Sequence, residues 1–359
     1  MTDEVTRNAP LGAANTAPHQ GAPQTKQQPQ SNAPHGEAQR TEPQEAVKVS
    51  GLVKRYGDMV ALDYFDLDVR EGEIFGLLGP NGSGKTTAIN CILALLTYDA
   101  GTIRVFGRPM TPTSYDLKRR IGIVPQNVAV FNELTVEENI DYFCSLYVPR
   151  KADRKPLVSE AIEFVDLGEF RGYRPGKLSG GLLRRLNIAC GIAHKPDLIF
   201  FDEPTVAVDP QSRNAILEGI VRLRDEGATV VYTSHYMEEV ERICTRLMIM
   251  DGGRALAQGT PEELKRGVQM GERISIEIVG EAAVPSGLLE RLRNHKHVLD
   301  AIFDAGTRTL TVTCKTSPHN LVDVLHTLQE ASLPLGRVYS EPPTLNDVFL
   351  EITGRELRD

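Results

Sequence analysis

The sequence carries no excess of positive charge, no paired-cysteine pattern and no long apolar run. Over 359 residues, 40 Lys and Arg stand against 48 Asp and Glu, a formal net charge of −8. The basic footprint of a duplex-binding protein is missing, so nucleic acid is not expected as a partner. The five cysteines, Cys91, Cys144, Cys190, Cys244 and Cys314, are scattered, odd in number and never spaced C-x-x-C, which suggests neither a disulfide framework nor a zinc site. They read as small core residues of a reducing compartment. No apolar run approaches the ~18–20 residues of a spanning helix, and the N-terminus lacks an apolar signal-peptide core, so a soluble chain is expected. Residues 1 to about 45 offer only Val5 and Leu11 as branched aliphatics among Pro, Gln, Asn, Ala and Thr. That is too little apolar surface to offset ordering, and a disordered low-complexity tail is expected over 1–45. The total length allows about two domains at roughly 100–200 residues each.

What is present centres on Gly79-Pro80-Asn81-Gly82-Ser83-Gly84-Lys85-Thr86-Thr87. The run Ile74-Phe75-Gly76-Leu77-Leu78 before it reads as a buried parallel strand, and from Ala88 to Leu96 apolar positions recur at helical spacing. In the pattern G-x-x-x-x-G-K-[ST], the glycines let backbone N–H groups surround phosphate oxygens at the positive end of a helix. Lys85 adds a cation for the β- and γ-phosphates, and Thr86 a hydroxyl for Mg²⁺. The stretch is a nucleoside-triphosphate site.

Upstream, Val47 to Val53 and the alternation Leu62, Phe65, Leu67, Val69 read as early strands. Tyr56 lies in the turn between them, where its ring serves either as core or as a stacking face for a purine. Downstream, the buried strand Ile121 to Pro125 ends at Gln126, an amide beside the ligand crevice of a parallel sheet. Thr135-Val136-Glu137-Glu138 is a capping box that starts a helix through about Tyr147, and a further helix runs from about Pro156 to Phe164. Residues 127–177 thus form a helical insertion. At Leu178-Ser179-Gly180-Gly181 a hydroxyl and backbone N–H groups meet the start of the helix from Leu182 to Ala193. This is either a serine cap with turn glycines or a second anion site, which by its spacing faces a partner's nucleotide.

The central strand Leu198-Ile199-Phe200-Phe201 ends in Asp202-Glu203-Pro204-Thr205. Adjacent carboxylates after a buried strand are costly unless a cation or a proton transfer uses them. Their opposite directions along the strand point Asp202 toward Mg²⁺ and Glu203 toward an attacking water. Val208-Asp209-Pro210 starts a helix through Leu223. After the strand Thr229 to Thr233 comes Ser234-His235, where the imidazole either bonds a γ-phosphate or caps a helix. Thr260-Pro261-Glu262-Glu263 caps another helix.

Taken in order, these stations over residues 46–268 resemble an ATP-binding cassette (ABC) transporter ATPase of the bacterial exporter-type branch that moves drugs, lipids or glycolipids. GPNGSGKTT resembles the Walker A motif, Gln126 the Q-loop, Leu178-Ser179-Gly180-Gly181 the signature, and LIFFDEP Walker B; Val208-Asp209-Pro210 resembles the D-loop, His235 the switch histidine and Tyr56 the adenine-stacking aromatic. The signature departs from the usual LSGGQ, because Leu182 stands where the glutamine would be, as in many exporter-type members. The resemblance implies an α/β P-loop NTPase-type fold with ATP and Mg²⁺ as cofactors, and a head-to-tail dimer in which Walker A of one chain and the signature of the other enclose ATP. Thr86, Gln126 and Asp202 would organise Mg²⁺, Glu203 would polarise water, and His235 and Ser179 would contact the γ-phosphate. The spanning helices would belong to a separate polytopic membrane permease, with this chain peripheral on the cytoplasmic side of the cell membrane.

Beyond the cassette, Ile274, Ile276 and Ile278 alternate, Leu288 to Leu292 is helical, Leu299, Ala301 and Phe303 alternate, Leu310, Val312 and Cys314 follow a turn, Leu321 to Leu328 is helical, and Arg337 to Tyr339 is extended. The order βαββαβ is the ferredoxin-like arrangement, and a small α+β accessory domain is expected over 269–359, closed by a helix at Asp347 to Glu351. Two other functions fit the motifs. A soluble, non-transport ABC ATPase usually holds two cassettes or a long coiled-coil insertion, and this chain shows one cassette and no such heptads. A nucleotide-gated binding module with little turnover is opposed by the intact Glu203 and His235.

Overall fold

The computed structural model describes residues 44–268, 270–280, 284–285 and 287–354. The tail expected over 1–45 lies almost wholly outside the described residues. The ordered chain opens on β1 (Glu45–Tyr56) and β2 (Met59–Arg70), an antiparallel hairpin whose alternating valines and leucines turn inward. Tyr56 ends β1 rather than standing in the turn. Next come β3 (Ile74–Leu78), α1 (Lys85–Ile92), β4 (Ala100–Val105) and β5 (Arg108–Pro109). The helix expected to reach Leu96 stops early because Ala94 adopts φ 51°, and the N–H groups of Leu95 and Leu96 both turn back to the Asn90 carbonyl.

α2 (Tyr115–Lys118), β6 (Ile121–Val124), α3 (Val136–Ser145), α4 (Lys151–Phe164), α5 (Gly180–Ile192) and β7 (Leu198–Asp202) follow. The Thr135 capping box forms as expected. α4 starts at Lys151, so Pro156 lies inside it rather than at its first turn. At the sixth helical position its missing N–H removes one bond of the ladder without breaking the helix. The remainder is α6 (Pro210–Asp225), β8 (Thr229–Ser234), α7 (Met237–Ile243), β9 (Arg246–Asp251), β10 (Arg254–Gly259), α8 (Pro261–Gly267), β11 (Met270–Ile278), α9 (Leu288–Arg293), β12 (Val298–Asp304), β13 (Thr309–Lys315), α10 (Asn320–Glu330), β14 (Leu335–Glu341) and α11 (Leu345–Thr353).

β3, β7 and β8 are buried at every position, the mark of strands covered on both faces. They lie in a six-stranded sheet of order β10-β9-β3-β8-β7-β6, parallel except for β10. On one face Phe75, Leu77, Phe200 and Met248 meet α1 and the antiparallel sheet β2-β1-β4-β5. On the other, Ile74, Phe201, Tyr232 and Ile249 meet the helical layer. Because β3, β6, β7 and β8 run parallel, their carboxyl ends share one edge, where such a sheet binds ligands.

The last four strands form a separate antiparallel sheet of order β12-β13-β11-β14. Its own core includes Ile274, Ile276, Leu292, Val312 and Leu328, the ferredoxin-like arrangement anticipated above. α11 does not stay with that sheet. Leu345, Val348 and Phe349 join the cassette core beside Met237 and Val240, and Asp347 pairs with Arg273 of β11 at 2.6 Å. All five cysteines are free and buried.

Candidate functional site

Between β3 and α1 the chain must reverse tightly, and Gly84 does so at φ 106°. A Cβ there would come within 2.7 Å of the Ala61 carbonyl, so the backbone requires glycine on two counts. α1 has no side-chain cap and no acid in its first turn, which leaves N–H groups and the positive helix end for an anion. The Ser83 hydroxyl is buried and without a hydrogen-bond partner. Asn81 and Gly82 are exposed at the tip, with Pro80 and Thr87 partly so.

Lys85, at the head of α1, donates from Nζ to the carbonyls of Gly79 (2.7 Å) and Pro80 (3.1 Å). Burial pulls its pKa below the ordinary lysine value, and the neighbouring Glu203 opposes that shift. The Thr86 hydroxyl donates to Asp202 Oδ2 at 3.0 Å, and the Thr233 hydroxyl donates to Asp202 Oδ1 at 2.7 Å. Glu203 has φ 46°, a left-handed conformation that costs a non-glycine residue about 1–3 kcal/mol and persists where function holds it. Its N–H donates to Thr233 Oγ1. One carboxylate oxygen lies 3.5 Å from Lys85 Nζ; the other accepts from Gln126 Nε2 at 3.0 Å and lies 3.5 Å from His235 Nδ1.

Six of the expected residues, Lys85, Thr86, Gln126, Asp202, Glu203 and His235, therefore meet at one sheet edge. The rest of the phosphate loop, Gly79 to Gly84 and Thr87, adjoins them, whereas Ser179, Gly180, Gly181, Asp209 and Tyr56 stand elsewhere. Ser179 caps α5 by accepting the Leu182 N–H, and Asp209 caps α6 by accepting the Ser212 N–H. That bond holds the Asp209 carboxyl below its usual range. Gly181 packs against this second cap so closely that a Cβ would stand 2.3 Å from Ser212 Oγ. Gly180 is exposed, and Leu182 turns its side chain toward the cassette core. Tyr56 is 44% exposed, with Lys54 Nζ 4.9 Å from its ring.

Two residues that no motif marks, Arg184 and Thr233, join these neighbourhoods. Arg184, on α5 and 3% exposed, donates to the carbonyls of Pro125, Gln126, Asp202, Glu203 and Pro204. A guanidinium with five donors in fixed geometry suits that task. Thr233 links both Walker B residues, donating to the Asp202 carboxylate and accepting the Glu203 N–H. The sequence signal for Thr233 is its place at the carboxyl end of a strand; Arg184 carries none, since its spacing within the helix marks no site.

Comparison with known proteins identifies the family. Residues 62–206 match the ABC transporter family, and residues 259–353 match the family described as ATP-binding protein DrrA1-3-like, C-terminal domain. The linearmycin resistance ATP-binding protein LnrL of Bacillus subtilis is 37% identical over 316 residues, covering 87% of this chain and 100% of its own. The chain belongs to the ABC transporter family. It is an ATP-binding ATPase subunit of that family, and two further relatives point the same way. The Nod factor export ATP-binding protein I of Ralstonia nicotianae is 36% identical over 314 residues (87% and 95% of the two chains), and the daunorubicin resistance ATP-binding protein DrrA3 of Streptomyces coeruleorubidus 34% over 315 (87% and 97%). Among solved structures, cbiO1 of Clostridium perfringens, part of an ABC transporter complex, superposes with a TM-score of 0.58 at 26% identity, covering 63% of this chain and 92% of that one. A bacterial ABC transporter cassette solved as a dimer gives 0.55 at 27%, covering 60% and 98%.

Proposed function

We propose that this chain binds and hydrolyses MgATP to power export of a drug, lipid or similar amphiphile through a separate membrane permease. The observation that carries the hydrolytic part is Glu203, a buried carboxylate touched at once by Lys85, Gln126 and His235. ATP supplies the phosphoanhydride that is cleaved. The free N–H groups at the start of α1 and the Lys85 cation hold its phosphates; Tyr56 offers a face for the base. Thr86 and Asp202 bring an oxygen pair 3.0 Å apart, a donor set suited to Mg²⁺, and Gln126, bonded here to Glu203, is assigned to the same ion. Glu203 accepts a proton from water, and His235 and the loop amides stabilise charge on the γ-phosphate.

Ser179, Gly180 and Gly181 are assigned to a second copy's nucleotide, with Asp209 between the two sites. A dimeric cassette among the similar structures supports this arrangement. The permease surface is assigned to the helical insertion. There Val128, Phe131, Tyr142, Leu146 and Tyr173 are all exposed, and the Phe131 and Tyr142 rings meet with centroids 4.8 Å apart, exposed apolar surface of the kind an interface uses. Among the described residues no helix is long and apolar enough to cross a membrane. The chain is then peripheral, held by the permease at the cytoplasmic side of the cell membrane.

The cargo class rests on the relatives named for linearmycin resistance, daunorubicin resistance and Nod factor export. The test is ATP-dependent export of amphiphilic drugs from cells expressing this chain with a candidate permease. Equal export by Lys85→Ala removes the proposal.

A further inference from the structure

Behind His235 lies a buried carboxylate with no part in the mechanism above. Glu239, in the first turn of α7, is 4% exposed. Its Oε2 accepts hydrogen bonds from Tyr232 (2.7 Å), Thr205 (2.8 Å) and Ser234 (3.0 Å). Burial and this carboxylate push the Tyr232 phenol well above its ordinary pKa, so it stays a donor. Oε1 lies 3.4 Å from Arg213 Nε, and neither atom makes a hydrogen bond.

The groups around Glu239 come from three segments of the site. Thr205 follows Glu203-Pro204, Ser234 precedes His235, and Arg213 stands in the first turn of α6 after the Asp209 cap. The far side of His235 is tied in as well. The Tyr236 N–H donates to the Ser234 hydroxyl at 2.9 Å. The Arg213 guanidinium lies 4.8 Å from the centre of the Tyr236 ring, and that ring stands 4.1 Å from the His235 imidazole. Glu239 thus holds the residue before His235 directly, and the residue after it through Ser234 and Arg213.

We propose that Glu239, paired with Arg213, is a positioning residue for ATP hydrolysis: it fixes the Ser234-His235-Tyr236 turn and ties it to the Thr205–Asp209 segment. Charge matters as well as shape. An ionised carboxylate only accepts hydrogen bonds. In Glu239→Gln, the new amide donor faces either the Arg213 donor or the three hydroxyls, so at least one contact reverses. The inference rests on the reading of His235 given above.

The test compares kcat, KM for ATP and ATP affinity in the full chain and in Glu239→Gln, Arg213→Met, His235→Ala and the double variant Glu239→Gln/His235→Ala. Glu239→Gln is expected to lower kcat about tenfold, the scale of one charged hydrogen bond, and Arg213→Met about two- to fivefold through the lost ion pair, each with ATP affinity unchanged. In the His235→Ala background Glu239→Gln is expected to add nothing, because it acts through that residue. The same tenfold loss persisting in that background, or normal kcat in both single variants, overturns the proposal. Ser234→Ala keeps Glu239 and removes one hydroxyl, so it decides the matter where Glu239→Gln fails to fold: reduced kcat supports the proposal and normal kcat overturns it. A His235→Ala protein with normal turnover removes the active-site reading itself, an outcome separable from failure at Glu239 alone.

Discussion

Lys85 Nζ and Glu203 Oε1 stand 3.5 Å apart with both side chains less than a tenth exposed. The cation meant for phosphate and the carboxylate meant for water therefore lie against one another. Each offsets part of the other's desolvation, which is large for a buried single charge. Lys85 keeps further hold on the loop through the Gly79 and Pro80 carbonyls.

Lys85→Ala removes the loop's side-chain cation and leaves Glu203 with Gln126 and His235 alone. Hydrogen bonds to charged groups are worth about 1.5–3 kcal/mol, so ATP affinity is expected to fall roughly ten- to a hundredfold. Isothermal titration checks this, and an unchanged Kd would remove the phosphate-site assignment.

Ser179→Arg is expected to leave ATP binding by the single chain intact while abolishing turnover. Its hydroxyl caps α5 by accepting the Leu182 N–H, and among the described contacts it has none with Lys85 or Thr86. A bulky cation there obstructs only a nucleotide presented by another copy. Normal hydrolysis by this variant would refute a site shared between chains.

What the chain spells in consecutive residues could be read without coordinates. The phosphate loop and the Asp202-Glu203 pair carry fixed spacing, and Gln126 and His235 follow strands whose carboxyl ends share an edge. Contacts between distant segments left no such trace. Thr233 looks like an ordinary β-branched strand residue, yet it bonds both Walker B residues. Arg184 and Glu239 look like surface charges of helices and prove buried. Helical spacing extends past the true end of α1 because Leu95 and Leu96 keep the apolar pattern after the backbone has left the helix at Ala94.

His194 stacks on Tyr147 at 3.7 Å and bonds the Ile121 carbonyl at 3.1 Å. Burial pushes its pKa from 6.5 down to about 4, opposed only by that hydrogen bond. The unfolded chain therefore binds the extra proton first as pH falls through 6.5, so folding stability drops between pH 6.5 and 4 and rises with pH across the same window. The full effect is on the order of 3 kcal/mol. His194→Phe keeps a stacking ring and abolishes titration. Urea unfolding at pH 4.5 and 7 should show a smaller pH dependence in the variant, and equal slopes would contradict the assignment.

Phe349 is 1% exposed in the cassette core although it lies beyond the ferredoxin-like sheet in sequence. Phe349→Ala is expected to cost about 3–5 kcal/mol through lost burial and the cavity left behind. Amide exchange in α7, which flanks that cavity, should quicken. Unchanged exchange there would mean that α11 does not support the helix after His235.

Glu203→Gln keeps the shape and one hydrogen-bond acceptor but removes the charge that takes a proton from water. A general base typically contributes about 10²–10⁴-fold, so hydrolysis should fall by that factor. Binding should survive, because Lys85, Thr86 and the loop amides are untouched, and loss of the buried negative charge leaves Lys85 freer for phosphate. With ATP held between two chains and no longer cleaved, the variant should accumulate as an ATP-bound dimer, while ADP should leave it as it is without nucleotide. Light scattering after size-exclusion chromatography in each nucleotide decides this. Wild-type turnover by Glu203→Gln would show that another group activates the water, and the strained backbone at Glu203 would then need a different explanation.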